Sequence, residues 1–181
     1  MASAPHDDAR EVELIGGIEQ RELVLAPYDE SWTRRFQAER GRIADALGLT
    51  ATHIEHIGST AVPGLAAKPI IDVLVTVESI ADEAGYLPQL VGAGYLLRVR
   101  EPGHRLFRTP ARAVHVHVLQ HDDAAAGAYL DLRDRLRGSE EARQRYTAVK
   151  QAIIATGVTD MNAYADAKSG VIASIRAEMP R

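Results

Sequence analysis

The chain has no cysteine. That excludes a disulfide scaffold, a thiolate zinc site and a cysteine nucleophile, and leaves histidine and carboxylate as the ligands of any metal site. It also suits a reducing interior. Long apolar runs are missing: none approaches the roughly 18 residues that span a bilayer. The N-terminus, MASAPHDDAR, has neither the basic start nor the apolar stretch of a secretory signal. The expectation is a cytoplasmic protein with no membrane partner. The body of the chain also lacks an excess of either charge. The formal charge is −4 over 181 residues, but Asp7, Asp8, Glu11, Glu13, Glu19 and Glu22 against Arg10 and Arg21 already account for it. Residues 23–181 are balanced, so net charge makes no case for nucleic acid. The expected organisation is an acidic N-terminal extension over 1–22, read as flexible, and a single domain over 23–181.

Patterning is plentiful. Trp32, Phe36, Ile43 and Leu47 recur at helical spacing within Asp29–Leu47, with Asp29 or Ser31 as cap. A short strand is allowed at Glu11–Ile15, and Thr52–Ile57 alternates as a strand. Pro69–Val77, PIIDVLVTV, is a nearly continuous apolar run, expected as a central strand covered on both faces. A helix over Ser79–Ala93, capped by Ser79, is weakened by Gly85 and Pro88. Strands are expected over Tyr95–Arg100 and Arg105–Thr109, around a turn at Pro102-Gly103, and over Ala113–Leu119. Three helices follow, over Ala124–Arg137, Glu140–Thr156 and Met161–Glu178, with Ser139 and Thr159 or Asp160 as starts. Strands early and helices late indicate an α+β or α/β domain.

One carboxylate sits inside the apolar run: Asp72. Burying it is costly unless it is paired or ligates something. It is either a candidate for chemistry or half of an ion pair with Lys68 or an arginine. Upstream, His56-Ile57-Gly58-Ser59-Thr60 interrupts a strand with Gly-Ser. Such a bend presents backbone N–H groups to an anion, or is simply a turn. His115 and His117, two apart on a strand, share one face, while Val114, Val116 and Val118 share the other. With Asp72 they could hold a divalent cation; otherwise they are the polar side of an edge strand. Arg98, Arg100, Arg105, Arg108 and Arg112, beside His104 and opposed only by Glu101, suit either phosphate binding or a solvated hairpin.

The segment HIGSTAVPGLAAKPIIDVLV, residues 56–75, resembles the GrpB family. The resemblance continues through APYDESWTRRFQAER at 26–40, GHRLF at 103–107, HVHV at 115–118, LRDRL at 132–136, RYTAVK at 145–150 and YADAKSGVI at 164–172. It implies a nucleotidyltransferase-like fold of the polymerase-β type: an α+β mixed sheet with flanking helices and a helical C-terminus. In that superfamily a Gly-Ser pair precedes an Asp-x-Asp or Asp-x-Glu pair, and a third carboxylate lies on a later strand. Gly58-Ser59 and Asp72 match the first elements. Leu74 stands in the second carboxylate's place, and the later strand offers His115 and His117 instead of an acid.

The resemblance therefore implies a divergent site. Gly58, Ser59, Thr60, Lys68, Arg105 and Lys168 would meet the phosphates of a nucleotide or another phosphate-bearing ligand. Asp72, His115 and His117 would hold one divalent metal ion, with His56 a further candidate. Nucleotidyl transfer would run through Asp72 to an acceptor that the sequence does not name. The alternatives are a non-catalytic accessory module, CoA-related or serving a protein partner, and a single-metal hydrolase. Similar domains are joined to dephospho-CoA kinase, but the kinase signature G-x-x-x-x-G-K-[ST] does not occur in this sequence.

Overall fold

The computed structural model describes residues 11–17, 20 and 22–178. In chain order the elements are β1 (Glu13–Leu14), α1 (Ser31–Leu47), β2 (Ala51–Ile57), β3 (Ile71–Val77), α2 (Leu87–Gly92), β4 (Leu96–Glu101), β5 (His104–Arg108), β6 (Val114–Gln120), α3 (Ala124–Gly138), α4 (Glu140–Ala155), α5 (Met161–Ala167) and α6 (Ser169–Ala177). The strands form one mixed sheet in the order β1-β4-β5-β6-β3-β2. Strand β3 pairs antiparallel with β2 and parallel with β6.

Two-sided burial explains the apolar run in β3. Ile71, Val73, Val75 and Val77 join Val114, Val116 and Val118 under Trp32, Phe36, Ile43 and Leu47 of α1, with Tyr86 and Leu90 beside them. On the other face Leu74, Leu119 and Ile57 meet Ala126, Tyr129 and Leu130 of α3. The C-terminal helices build their own cluster around Val62 and Leu65. The α+β architecture with a helical C-terminus is thus as expected. No helix among the described residues is long and apolar enough to cross a membrane.

Local signals set the helix starts. The Asp29 carboxylate accepts the Ser31 N–H at 2.7 Å, Ser139 Oγ accepts that of Ala142 at 3.1 Å, and Asp160 accepts those of Asn162 and Ala163. Two expectations change. The helix over Ser79–Ala93 shrinks to α2, after a 3-10 turn at Glu83–Gly85. Pro88 lies in the first turn of α2, where its missing N–H costs nothing, and it could not have continued an earlier helix. Ser79 closes a turn with Asp82 and caps nothing. The last expected helix is two, α5 and α6, parted next to Ser169-Gly170, both poor helix formers.

The sheet also reaches into the stretch read as an extension. Glu13 pairs with Arg100 and Leu14 with Val99, and the Arg98 guanidinium donates to the carbonyls of Ile15 and Gly17. Residues 1–10, 18–19 and 21, with Asp7, Asp8, Glu19 and His6, lie outside the described residues.

Candidate functional site

The parallel register of β3 and β6 places Asp72 opposite His115 and Leu74 opposite His117. Side chains alternate along both strands, so the carboxylate and both imidazoles share the face toward the C-terminal helices. Asp72 Oδ1 lies 3.3 Å from His115 Nδ1 and 3.7 Å from His117 Nε2. One ligand atom from each residue lies within 4.8 Å of the others. Burial pushes the Asp72 carboxyl up. The neighbouring imidazoles of His115 and His117 outweigh it and hold the group well below the ordinary carboxylate range.

The Gly-Ser bend packs directly against this cluster. Gly58 has φ 71° and ψ −175°, a region that essentially only glycine occupies. A Cβ there would overlap the Asp72 carboxylate and stand 3.0 Å from the Asp72 Cβ. Gly58 therefore lets the bend close over Asp72.

Further polar groups stand behind the cluster. His117 Nδ1 is 3.1 Å from His104 Nε2, and the two rings stack at 5.2 Å. His104 Nδ1 donates to Glu101 Oε1 at 2.6 Å. Burial and the neighbouring His117 pull the His104 imidazole down to about 4, against the pull of Glu101.

The opposite wall of the cavity is helical and cationic. Lys150, buried on α4, donates from Nζ to the Ala66 carbonyl and to Ser59 Oγ, and lies 4.8 Å over the Tyr146 ring. The Nζ atoms of Lys68 and Lys168 each lie 4.4 Å from the centre of the Tyr164 ring. Burial, reinforced by Lys168 and Lys68, pulls the Lys150 amine down to about 7. Burial also lowers Lys168, with Asp72 opposing. The three amines, Asp72, His115 and His117 line one cavity of about 400 Å³. That volume is within the range of small-ligand sites. Among its lining residues Asp72 is the one carboxylate.

Three expected residues are placed differently. Arg105 shares its sheet face with Phe107 and Val118, away from the cavity. Its Nε donates to Glu83 at 2.6 Å and its Nη1 to the Glu101 carbonyl at 2.7 Å. Arg108, opposite His115, is the arginine of β5 that reaches the cavity. Thr60 borders the cavity, but its buried hydroxyl donates to the Ile70 carbonyl at 2.9 Å, pinning the bend to β3. His56 lies on the α1 side, stacked on Phe36 at 4.6 Å with Nε2 3.1 Å from Thr60 Oγ1. Its role is in packing.

Burial pulls the His56 imidazole from 6.5 down to about 4, opposed by Asp72. Between those values the unfolded chain takes up a proton that the folded chain refuses. Its contribution is therefore complete above pH 6.5 and declines as pH falls toward 4, by about 3 kcal/mol in all. His56→Phe keeps the stack and removes the titration. Denaturant unfolding of the variant is expected to show a shallower loss of stability from pH 6.5 to 4. An identical slope in both proteins would contradict this.

Sequence reasoning missed Lys150, although a signal existed. Ala142, Tyr146 and Lys150 recur at i, i+4 and i+8 on the buried side of α4, and a lysine in an apolar stripe is unusual.

The donor set decides which metal chemistry fits. A pair of magnesium ions needs several carboxylate oxygens, and Leu74, buried and apolar, supplies none. Two imidazoles and one carboxylate fit a single ion that accepts nitrogen ligands. A mixed sheet carrying this cluster beneath a lysine-lined wall defines a class of α+β domain with one polar cavity on its sheet face. Within that class the chain belongs to the GrpB family, whose description is "GrpB protein", matched over residues 22–178. It is 52% identical to a UPF0157 protein of Streptomyces coelicolor over 93% of this chain and 90% of that one. The crystal structure of the conserved protein GrpB from Enterococcus faecalis is similar at a TM-score of 0.75 and 30% identity, covering 86% of this chain and 96% of that one. A dephospho-CoA kinase of Mycolicibacterium paratuberculosis is 29% identical over 80% of this chain and 42% of its own length.

Proposed function

We propose that this GrpB-family chain binds a phosphate-bearing small molecule in the cavity, together with one divalent ion held by Asp72, His115 and His117. A nucleotide is the first ligand to test, because Gly58-Ser59 and Asp72 resemble the start of a nucleotidyltransferase site. One observation carries the reading: the carboxylate–imidazole cluster and three lysines face each other across a single cavity. Lys68, Lys150 and Lys168 would neutralise phosphate oxygens, and Ser59 would orient Lys150. Asp72, His115 and His117 would supply the ion's ligands, and the ion would add positive charge at the phosphate. With Leu74 in place of the second carboxylate, binding is favoured over two-metal nucleotidyl transfer. A second reading is an accessory module for a CoA-type ligand. It is supported by the dephospho-CoA kinase whose sequence includes a similar segment.

Lys150→Met tests the ligand half of the proposal. A buried charge-assisted hydrogen bond contributes about 1.5–3 kcal/mol, so affinity for ATP and for pyrophosphate should fall roughly 10- to 100-fold. Calorimetric titration with each compound measures it, and a melting curve checks the fold. Equal affinity in variant and wild type, or no binding to either, would contradict the proposal.

A further inference from the structure

The β4–β5 hairpin brings Glu101 opposite His104, and His104 stands beside His117 on the cavity face of the sheet. The Glu101 carboxylate can only accept, so His104 Nδ1 carries the proton in their 2.6 Å contact. A neutral His104 then turns a bare Nε2 toward His117 Nδ1, 3.1 Å away, and that atom must donate. His117 is left with its lone pair on Nε2, 3.7 Å from Asp72 Oδ1. Two acceptors facing each other at this range call for a cation between them.

We propose that His104 and Glu101 are positioning residues, which hold His117 with its proton on Nδ1 and its Nε2 presented as the metal ligand. The ion in this inference rests on the reading above, whereas the His117 tautomer does not depend on it. The donor chemistry also points to the class of ion. Two imidazole nitrogens and one carboxylate oxygen suit a zinc- or cobalt-type ion, whereas magnesium takes oxygen ligands.

Two measurements test the inference. Long-range ¹⁵N–¹H NMR of the imidazoles in chelator-treated protein should find the His117 proton on Nδ1 in wild type and shifted to Nε2, toward Asp72, in His104→Ala. Cobalt titration, followed by visible absorption, should show affinity lowered about 10- to 100-fold in His104→Ala and in the same direction in Glu101→Gln. His104→Gln should recover most of it, because the glutamine carbonyl can accept the His117 Nδ1–H. A melting curve of each variant checks the fold. A wild-type proton on Nε2, or an unchanged cobalt affinity and spectrum in His104→Ala, overturns the positioning role. An Nδ1 proton in a wild-type protein that binds no cobalt overturns the metal reading and leaves the tautomer assignment standing.

Discussion

Gly58→Ala is expected to lower the melting temperature by several degrees and to weaken binding of a divalent ion. The backbone at this position costs any other residue about 1–3 kcal/mol. For a chain of this size each kcal/mol corresponds to roughly 2–4 °C. Steric overlap adds to the conformational cost, because the new methyl group would occupy the space of the Asp72 carboxylate. Asp72 can escape only by swinging away from His115 and His117, which dismantles the cluster. Calorimetric melting and cobalt titration of the same sample measure both effects. A variant that melts with wild type and binds cobalt equally well would show that the bend does not set the position of Asp72.

Asp72→Asn is expected to have the largest effect on metal affinity. It keeps the shape of the side chain and removes the charge, so loss should exceed the roughly 10- to 100-fold typical of outer supporting residues. A ligand that binds only the folded chain raises its stability. Added zinc should therefore raise the melting temperature of wild type and leave that of Asp72→Asn unchanged. The carboxyl also has a pH signature in the absence of metal. Its folded value is depressed, so the stability it contributes is present above the ordinary value of 3.8 and is lost as pH falls below it. The difference between wild type and variant should narrow in acid below about pH 4. A difference that stays constant or widens there would contradict the arrangement of Asp72 between two imidazoles.

The centre of the site was legible in the sequence for a physical reason. A strand buried on both faces accommodates a charge only where it is paired or ligates something, so Asp72 stood out within IDVLVTV. Strict alternation in VHVHV placed both histidines on one face, and pairing of β3 with β6 brought that face to Asp72. The same period distinguishes Arg108 from Arg105, since only even-numbered residues of β5 share the histidines' face. Grouping the arginines by charge alone obscured that. The stripe of Ala142, Tyr146 and Lys150 marks Lys150 as buried, but its place in the cavity comes from packing of α4 against a bend about ninety residues earlier, which no local pattern reports. The partnership of Glu101 with His104 depends on a hairpin register, and that of His104 with His117 on a diagonal contact between strands. The helix over Ser79–Ala93 failed because Pro88 begins a helix more readily than it continues one.

The most direct measurement is equilibrium dialysis of wild type and Asp72→Asn against zinc with magnesium in large excess, followed by elemental analysis. The prediction is one zinc ion per wild-type chain, retained against magnesium, and none above background in Asp72→Asn. Equal zinc in the two proteins, or displacement of zinc by magnesium, would contradict a metal site built from Asp72, His115 and His117.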